Sequence, residues 1–253
     1  MKHAIHWKTF FVLLVMSLVS VACIFPYILT IQADLIESVG MPIALIFVIQ
    51  LTQSAFLFSI LIFFGLLLTQ KIGFNLPLIE ACLKGKEWRP VLKSIAAPAL
   101  AWGVVVAFSI YVVDILFTFL GATLTTHQNY APLWQTLLAS FYGGITEEVI
   151  MRLFFMSLII WIGMKMLRQS VPKGYGIWVA IVLVAIVFGL GHLPITASLT
   201  SLSPIIVTRA IILNGIGGVV FGWLFWKKGL ESAMIAHFAT DIVLLSILPM
   251  VLQ

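Results

Sequence analysis

Three apolar stretches of the chain each contain side chains of the kind that catalyse hydrolysis: Glu147, Glu148, Arg152, His192, His237 and Asp241. Charged groups are costly in hydrocarbon, so ionisable residues in such stretches normally face a protein interior or a wet cavity and serve a function. A carboxylate can activate water, imidazoles can move protons, and polar groups can hold a developing oxyanion. The residue types therefore indicate hydrolytic chemistry.

Different roles are predicted for the two adjacent carboxylates. Glu148 and Arg152 are four residues apart and share a helix face, whereas Glu147 points to another side of the helix. We expect Arg152 to pair with Glu148, which leaves Glu147 free to project into a cavity. The alternative is a structural ion-pair network between helices, but such a network does not explain a second carboxylate in a costly position.

The histidine of the second stretch lies at a depth that matches Glu147. If the fourth and fifth apolar stretches form a hairpin turning near Gln169, Glu147 lies 22 residues before the turn and His192 lies 23 residues after it. Phe188 precedes His192 by four residues and so lies one helical turn away from it. The hairpin therefore predicts that these side chains share one layer of the bundle.

The last stretch carries a second polar pair. His237 and Asp241 are four residues apart and share a helix face. Asn214 lies 14 residues before Lys228 and Asp241 lies 13 residues after it, which predicts equal depth in a hairpin. However, His237 is only about 9 residues from its turn, so Glu147 would lie on the order of 20 Å away at 1.5 Å per residue. Either the fourth and fifth helices project beyond the membrane or the fourth helix is broken.

The composition indicates an integral membrane protein with several spans. The 253 residues are 62% hydrophobic and 9% charged, with a mean hydropathy of +1.17. The net charge is +5, but the basic residues are spread over short loops, which argues against nucleic-acid binding. Two unrelated cysteines, Cys23 and Cys82, provide no disulfide framework. We expect one membrane-embedded domain over residues 1–253.

The expected fold is an all-α polytopic transmembrane bundle. Seven apolar runs approach or exceed the roughly 20 residues that a spanning helix needs: about 9–31, 42–69, 93–120, 133–161, 174–192, 204–226 and 229–250. The second and fourth runs are long, so an eighth element is an alternative. Between the second and third runs, residues 71–93 mix apolar and charged side chains and predict a short amphipathic surface helix.

The basic residues predict an orientation. Lysine and arginine occupy alternate loops, which favours a cytoplasmic N-terminus. The exceptions are Arg152 and Arg209, which lie within apolar runs. Arg209 can pair across helices with Asp114, or each can line a cavity.

Three motifs follow one another on successive apolar helices: EExxxR at 147–152, FxxxH at 188–192 and HxxxD at 237–241. In this order they resemble the CPBP (Abi) family of intramembrane proteases, which includes the type II CAAX prenyl endopeptidases. The resemblance covers a motif core of about residues 133–245. It implies a membrane-embedded peptidase of the glutamate type that requires no cofactor.

The resemblance also implies a role for each motif. Glu147 with His192 would activate the attacking water, and His237 with residue 241 would stabilise the oxyanion. The pair Glu148 and Arg152 would organise the first motif. Many relatives carry asparagine at position 241, which donates a hydrogen bond. Asp241 donates only when it is protonated, and its alternative role is to orient His237.

Other functions stay open at this point. Zinc is an alternative cofactor because it accepts carboxylate and imidazole ligands, here Glu147, His192, His237 and Asp241, although no HExxH pair supports it. A transporter or channel could use a buried Glu/His/Asp path for protons or ions, although the chain shows no inverted repeat. A catalytically idle immunity or binding module is a third class.

The favoured interpretation also fixes the expected partners. It is a protease of a bacterial cell membrane that cleaves a membrane-associated peptide or protein. The lipid bilayer is the other partner, and the sequence carries no signal for an oligomeric state.

Overall fold

The computed structural model describes residues 6–122 and 131–251. Seven helices are long and apolar enough to cross a membrane: span 1 Trp7–Ile31, span 2 Ile43–Ile72, span 3 Trp88–Phe119, span 4 Leu133–Met166, span 5 Gly174–Leu199, span 6 Pro204–Lys228 and span 7 Leu230–Val251. The predicted all-α bundle with seven spans is confirmed. No eighth span and no strand occur among the described residues.

The helices begin and end at residues whose chemistry favours those positions. Inside a bilayer the backbone must satisfy its own hydrogen bonds, which a continuous apolar helix achieves. Span 6 starts with Pro204 after Ser203, whose hydroxyl accepts from the Ile206 N–H at 3.4 Å. Span 2 ends at Gly73, which adopts a left-handed φ of 77°.

A short helix, Pro77–Leu83, lies between spans 2 and 3. Its Ile79 and Ala81 are buried, while Lys84, just after its end, pairs with Glu80 at 2.7 Å on the exposed side. This is the predicted amphipathic surface helix, but it is shorter than residues 71–93. Gly85 has a φ of 63° and follows its end, and span 3 already begins at Trp88.

Span 4 is deformed rather than broken. It starts as an α-helix, passes through π-helical turns at Tyr142–Glu147 and Val149–Met156, and finishes as the α-helix Ser157–Met166. π-Helical turns are rare and are frequent at functional sites. Both motif carboxylates therefore lie in the irregular part of the longest span.

Small residues bring span 5, which carries the FxxxH motif, close to span 6. A Cβ added to Gly218 of span 6 would lie 2.8 Å from the Cα of Ala185 in span 5, and one added to Gly189 would lie 2.6 Å from the Cα of Ile211. Such contacts are typical of membrane helices, which associate by close packing of their backbones. Spans 5 and 6 consequently form a tightly packed pair.

The end of span 4 extends past the turn between spans 6 and 7. Lys71, near the end of span 2, lies with its ammonium 5.2 Å from the ring centroid of Trp161 in span 4. A few residues later, the Asn75 carbonyl accepts from the Leu230 N–H at 3.3 Å. Span 7 thus begins near the level of Trp161, and span 4 continues beyond it to Met166. The projecting end of span 4 accounts for part of the expected gap in depth between Glu147 and His237.

Candidate active site

Glu148 joins two of the motifs through one carboxylate oxygen. Its Oε1 lies 2.9 Å from Nη1 of Arg152, an ion-pair distance without hydrogen-bonding alignment. The same oxygen lies 2.7 Å from Nδ1 of His237 in span 7. The side chains of Glu148 and Arg152 are both 0% exposed. The expected pairing within span 4 is therefore present, and it extends to a second helix.

The Arg152 guanidinium ties span 4 to spans 5 and 6. Its Nη2 donates to the Gly218 carbonyl at 3.1 Å. The guanidinium carbon lies 5.3 Å from the ring centroid of Phe188 and 5.5 Å from that of Phe221, distances at which a cation is attracted to an aromatic face. A buried charge is tolerated only with such partners.

The hydrogen-bonding pattern orients the His237 ring. Because the Glu148 carboxylate accepts the short hydrogen bond, Nδ1 of His237 is assigned as its donor. The other ring nitrogen, Nε2, lies 3.7 Å from Glu147 Oε2 and 3.7 Å from Asp241 Oδ1. These distances exceed a direct hydrogen bond and leave Nε2 available to a third molecule between two carboxylates.

Glu147 and Asp241 are more accessible than their neighbours. Their side chains are 20% and 19% exposed, against 7% for His237. The site is therefore open at the carboxylates that flank Nε2 and closed around the Glu148 side of the ring. The difference in exposure between Glu147 and Glu148 agrees with the prediction that Arg152 pairs with Glu148 and leaves Glu147 free.

Two phenylalanines hold the His237 ring from different sides. Phe221 stacks on it at a centroid distance of 4.6 Å and an interplanar angle of 23°, and Phe188 meets it edge-on at 5.7 Å. Phe221 was not expected from the sequence, because an apolar residue in an apolar run carries no signal of its own. The hairpin register does carry one, since Phe221 and His237 each lie eight residues from Gly229.

His192 lies beside the site, next to Phe188. Its Nδ1 is assigned as donating to the Phe188 carbonyl at 2.9 Å, so Nε2 is the acceptor of this ring. Phe188 contacts both histidine rings, at centroid distances of 4.7 Å to His192 and 5.7 Å to His237. The distance between the centroids of the two imidazole rings is therefore no greater than the sum of these two distances. The contact of Arg152 with Phe188 matches the register that puts Glu147 level with His192.

Asn214 differs from the other predicted residues in its hydrogen bonding. Its side-chain amide donates to the Ala210 carbonyl of its own helix at 2.8 Å. The hydrogen bonds of the described residues do not join it to Asp241 or to either histidine. Among the described residues, Asn214 is therefore not hydrogen-bonded to these three side chains.

A glycine pair makes room for the cluster. A Cβ at Gly143 would collide with the Asp241 carboxylate and would lie 3.1 Å from His237 Nε2. A Cβ at Gly144 would lie 2.8 Å from the Cβ of Phe238. The π-helical segment before Glu147 can approach span 7 only because both positions lack a side chain. The adjacent glycines are a signal that the sequence alone could have provided.

Span 1 supports the same segment from the other side. The Thr146 hydroxyl contacts the Ser20 hydroxyl, and Ser20 also donates to the Ser17 carbonyl at 2.8 Å. All three residues are buried. A polar contact between membrane helices fixes their relative position. The residue before Glu147 is thereby held by a span that carries none of the three motifs.

The zinc alternative requires several of the four suggested side chains to surround one ion. Structural and catalytic zinc sites use three or four Cys, His, Asp or Glu ligands around one ion. Within residues 6–122 and 131–251, no group of three or more such side chains is arranged to hold a metal ion.

Residues 129–243 match the family model of the type II CAAX prenyl endopeptidase Rce1-like proteins. The chain is related to the CPBP family of membrane proteases. The matched segment includes all residues of the cluster on spans 4 to 7, whereas spans 1 to 3 lie outside it. No curated protein and no solved structure matches the chain. The relationship indicates a protease embedded in the lipid bilayer and acting on a peptide substrate.

Proposed function

We propose that the protein is a metal-free intramembrane endopeptidase in which Glu147 activates the attacking water. The observation that carries the proposal is the position of His237 Nε2, which lies 3.7 Å from both Glu147 and Asp241. A water and a peptide carbonyl placed there would contact a base and hydrogen-bond donors at once. Such convergence of a base with polar groups from two helices is what peptide hydrolysis requires.

The reaction begins with the water. Glu147 takes one of its protons while the water oxygen forms a bond with the peptide carbonyl carbon, and the carbonyl π electrons move to the carbonyl oxygen. A correctly placed general base contributes about 10²- to 10⁴-fold to such a step. We assign His192, whose Nε2 is left as the acceptor of its ring, to relay the proton held by Glu147, directly or through a water molecule.

The oxyanion is stabilised by His237 and Asp241. Because Nδ1 of His237 already donates to Glu148, Nε2 donates as well when the ring is a doubly protonated imidazolium. Asp241 donates when its carboxyl group is protonated. A single oxyanion donor contributes about 10²- to 10³-fold. The proton on Glu147 then passes to the peptide nitrogen, the carbon–nitrogen bond breaks, and the oxyanion electrons re-form the carbonyl of the new carboxyl group.

Glu148 and Arg152 act on this chemistry through His237. The Glu148 carboxylate holds Nδ1 of the ring at 2.7 Å, and Arg152 compensates the buried carboxylate charge. Partners that fix the tautomer and orientation of a histidine determine which nitrogen reaches the substrate. We therefore assign Glu148 and Arg152 as positioning residues.

An apolar cavity next to the cluster fits an apolar substrate segment. It has a volume of about 470 Å³ and lies between span 1, the helix Pro77–Leu83, span 4 and span 7. Gly144 and Phe238 line it, and the neighbouring Gly143 faces Asp241. Apolar pockets of this size bind ligands mainly by burying their surface. The proposed substrate is a membrane-associated peptide or protein that is apolar near the cleaved bond.

The test compares membrane fractions of cells that express the full chain or Glu147→Gln. Glu80→Gln removes a carboxylate from the surface helix and serves as the matched control. We expect new peptide termini with the wild type and with Glu80→Gln, and none with Glu147→Gln. Identical termini in all strains would contradict the proposal. A Glu147-dependent proton leak in proteoliposomes, without cleavage, would favour the transporter alternative.

A further inference from the structure

Two lysines converge on one tryptophan at the basic end of the bundle. The ammonium of Lys71 lies 5.2 Å from the ring centroid of Trp161, and that of Lys165 lies 6.0 Å from it. Lys71 belongs to the last turn of span 2, whereas Lys165 belongs to the last turn of the final α-helix in span 4. Two positive charges therefore lie near one aromatic ring where spans 2 and 4 end.

Neither charge has an acidic partner among the described residues. The carboxylates within residues 6–122 and 131–251 that form ion pairs do so with Lys84, Arg152, Arg209 or His237. Two like charges near the same ring repel each other. An anion bound between Lys71 and Lys165 would convert that repulsion into attraction.

A cavity of about 330 Å³ opens between the two lysines. It is lined by both lysines, two apolar side chains and two polar ones: Lys71, Trp161, Met164, Lys165, Gln169 and Ser170. The hydroxyl of Ser170 and the amide of Gln169 add donors, and Gln169 is itself held by a 2.6 Å hydrogen bond to the Tyr175 hydroxyl. Ammonium groups and neutral donors are what a phosphate oxygen accepts from.

The position of the cavity indicates the source of the phosphate. Phe74, which follows span 2, packs against Phe225 near the end of span 6 at a centroid distance of 5.1 Å, so the basic loops after spans 2, 4 and 6 lie at one end of the bundle. Such loops favour the cytoplasmic side, where anionic lipids are abundant. Tryptophan is also favoured at the depth of lipid headgroups.

We propose that this cavity binds the phosphate-bearing headgroup of an anionic phospholipid. Lys71 and Lys165 contact the phosphate diester, Ser170 and Gln169 donate to its oxygens or to the headgroup alcohol, and Trp161 and Met164 face the glycerol and upper acyl chains. The bound lipid holds the end of span 2 against span 4. It therefore stabilises the helix that also carries Glu147.

Binding to the full-length, delipidated protein in detergent tests the proposal. The probes are dioctanoyl phosphatidylglycerol, dioctanoyl phosphatidylcholine and inorganic phosphate, and the readouts are native mass spectrometry and the thermal midpoint. The variant Lys71→Gln/Lys165→Gln removes both charges. Lys86→Gln/Lys93→Gln removes the same net charge from exposed positions at the same end and is the control.

We expect phosphatidylglycerol to bind the wild type and the control alike, and the Lys71→Gln/Lys165→Gln variant about tenfold more weakly or worse. The lipid should raise the thermal midpoint of the first two proteins only. Weak binding of phosphatidylcholine, which has no net charge, and of inorganic phosphate supports an anionic phospholipid as the ligand. Binding of inorganic phosphate to the wild type, lost in the variant, instead assigns the cavity to free phosphate and overturns the lipid.

Equal phosphatidylglycerol binding by the wild type and the double variant would overturn the proposal, as would the absence of binding to the wild type. If the double variant does not fold, the single variants Lys71→Gln and Lys165→Gln replace it, and each is expected to weaken binding. Lys71→Arg/Lys165→Arg retains both charges and is expected to retain binding. Loss of binding in this arginine variant alongside retention in the single glutamine variants would also contradict the proposed site.

Discussion

Glu147 and Glu148 differ in burial because adjacent residues of a helix point to different sides of it. The Glu148 side chain is fully buried between Arg152 and His237, whereas Glu147 remains 20% exposed at the open side of His237. The sequence predicts the first contact, since Glu148 and Arg152 are four residues apart. It does not predict the contact with His237, because that contact depends on how two distant spans pack.

Glu147→Gln tests the proposed base. The amide keeps the shape of the side chain but cannot take a proton from water, so peptide cleavage should fall by about 10²-fold or more. The thermal midpoint should change little, because Glu147 is partly exposed and lies 3.7 Å from its nearest ionic neighbour. Turnover by the purified variant, measured on a peptide cleaved by the wild type, checks this. Turnover equal to that of the wild type would exclude Glu147 as the base.

Glu148→Gln should act on stability instead. Removing this carboxylate leaves Arg152 charged, fully buried and without its acidic partner, a change that typically costs about 3–5 kcal/mol. Denaturant titration in detergent measures the loss. Glu147→Gln is the matched control, since it removes the same charge one residue away, and its stability should be close to that of the wild type. Equal stability of the two variants would contradict the described role of Glu148.

Asp241→Asn separates metal-free from metal-dependent chemistry. Without a metal, asparagine supplies a hydrogen-bond donor directly, so the variant should retain substantial activity. In a zinc site the same change weakens binding, because a neutral amide is a poorer zinc ligand than a carboxylate. The activity of Asp241→Asn is measured together with the metal content of the wild type. Stoichiometric zinc, loss of activity in the variant and inactivation by chelators would overturn the metal-free mechanism.

At the scale of helices, counting residues from turns predicted part of the site. The count that places Glu147 level with His192 agrees with the contact of Arg152 with Phe188. A count across Gly229, which was not made for Phe221, would have placed Phe221 level with His237, on which it stacks. The same counting failed between the two hairpins, because it assumes that all turns lie in one plane.

The irregular turns of span 4 also lay beyond prediction. A π-helical turn places residues i and i+5 in hydrogen-bonding contact and so shifts which side chains share a face. Its location depends on packing against spans 1 and 7, where Thr146 contacts Ser20 and Gly144 approaches Phe238. Apolar periodicity contains no information about such contacts. Only the adjacent glycines at 143 and 144 hint at the close approach.

Gly143→Ala tests whether this close approach positions the site. The added methyl group would overlap the Asp241 carboxylate and crowd His237 Nε2, so the reacting groups must move. A displacement of about 1 Å can reduce catalysis by about 10²-fold. Gly163→Ala is the control, because a Cβ there meets no atom within 4 Å and lies in the same span. Similar kcat values for both variants would show that the site tolerates the displacement.

At the scale of the whole molecule, basic side chains within the spans have acidic partners, whereas the others lie at helix ends or in loops. The pair Arg209 and Asp114 joins spans 6 and 3 at 2.6 Å, which confirms one of the two expected arrangements. The remaining lysines and arginines of the described residues, apart from Arg152, lie at helix ends or in loops. Most of them lie in or beside the loops that follow spans 2, 4 and 6, at one end of the bundle. This concentration of positive charge favours an orientation in which that end faces the cytoplasm.

Cysteine labelling of cells tests that orientation. Cys82 is exposed in the helix Pro77–Leu83 at the basic end, while Cys23 is half-buried in span 1. In a Cys23→Ala background, a membrane-impermeant maleimide should label Cys82 only after the cells are permeabilised. The control is Ser201→Cys with both native cysteines replaced by alanine, because residue 201 is exposed in the loop at the opposite end. It should be labelled in intact cells. The reverse pattern would place the basic end outside, so that the cluster around His237 would be reached from the other side of the membrane.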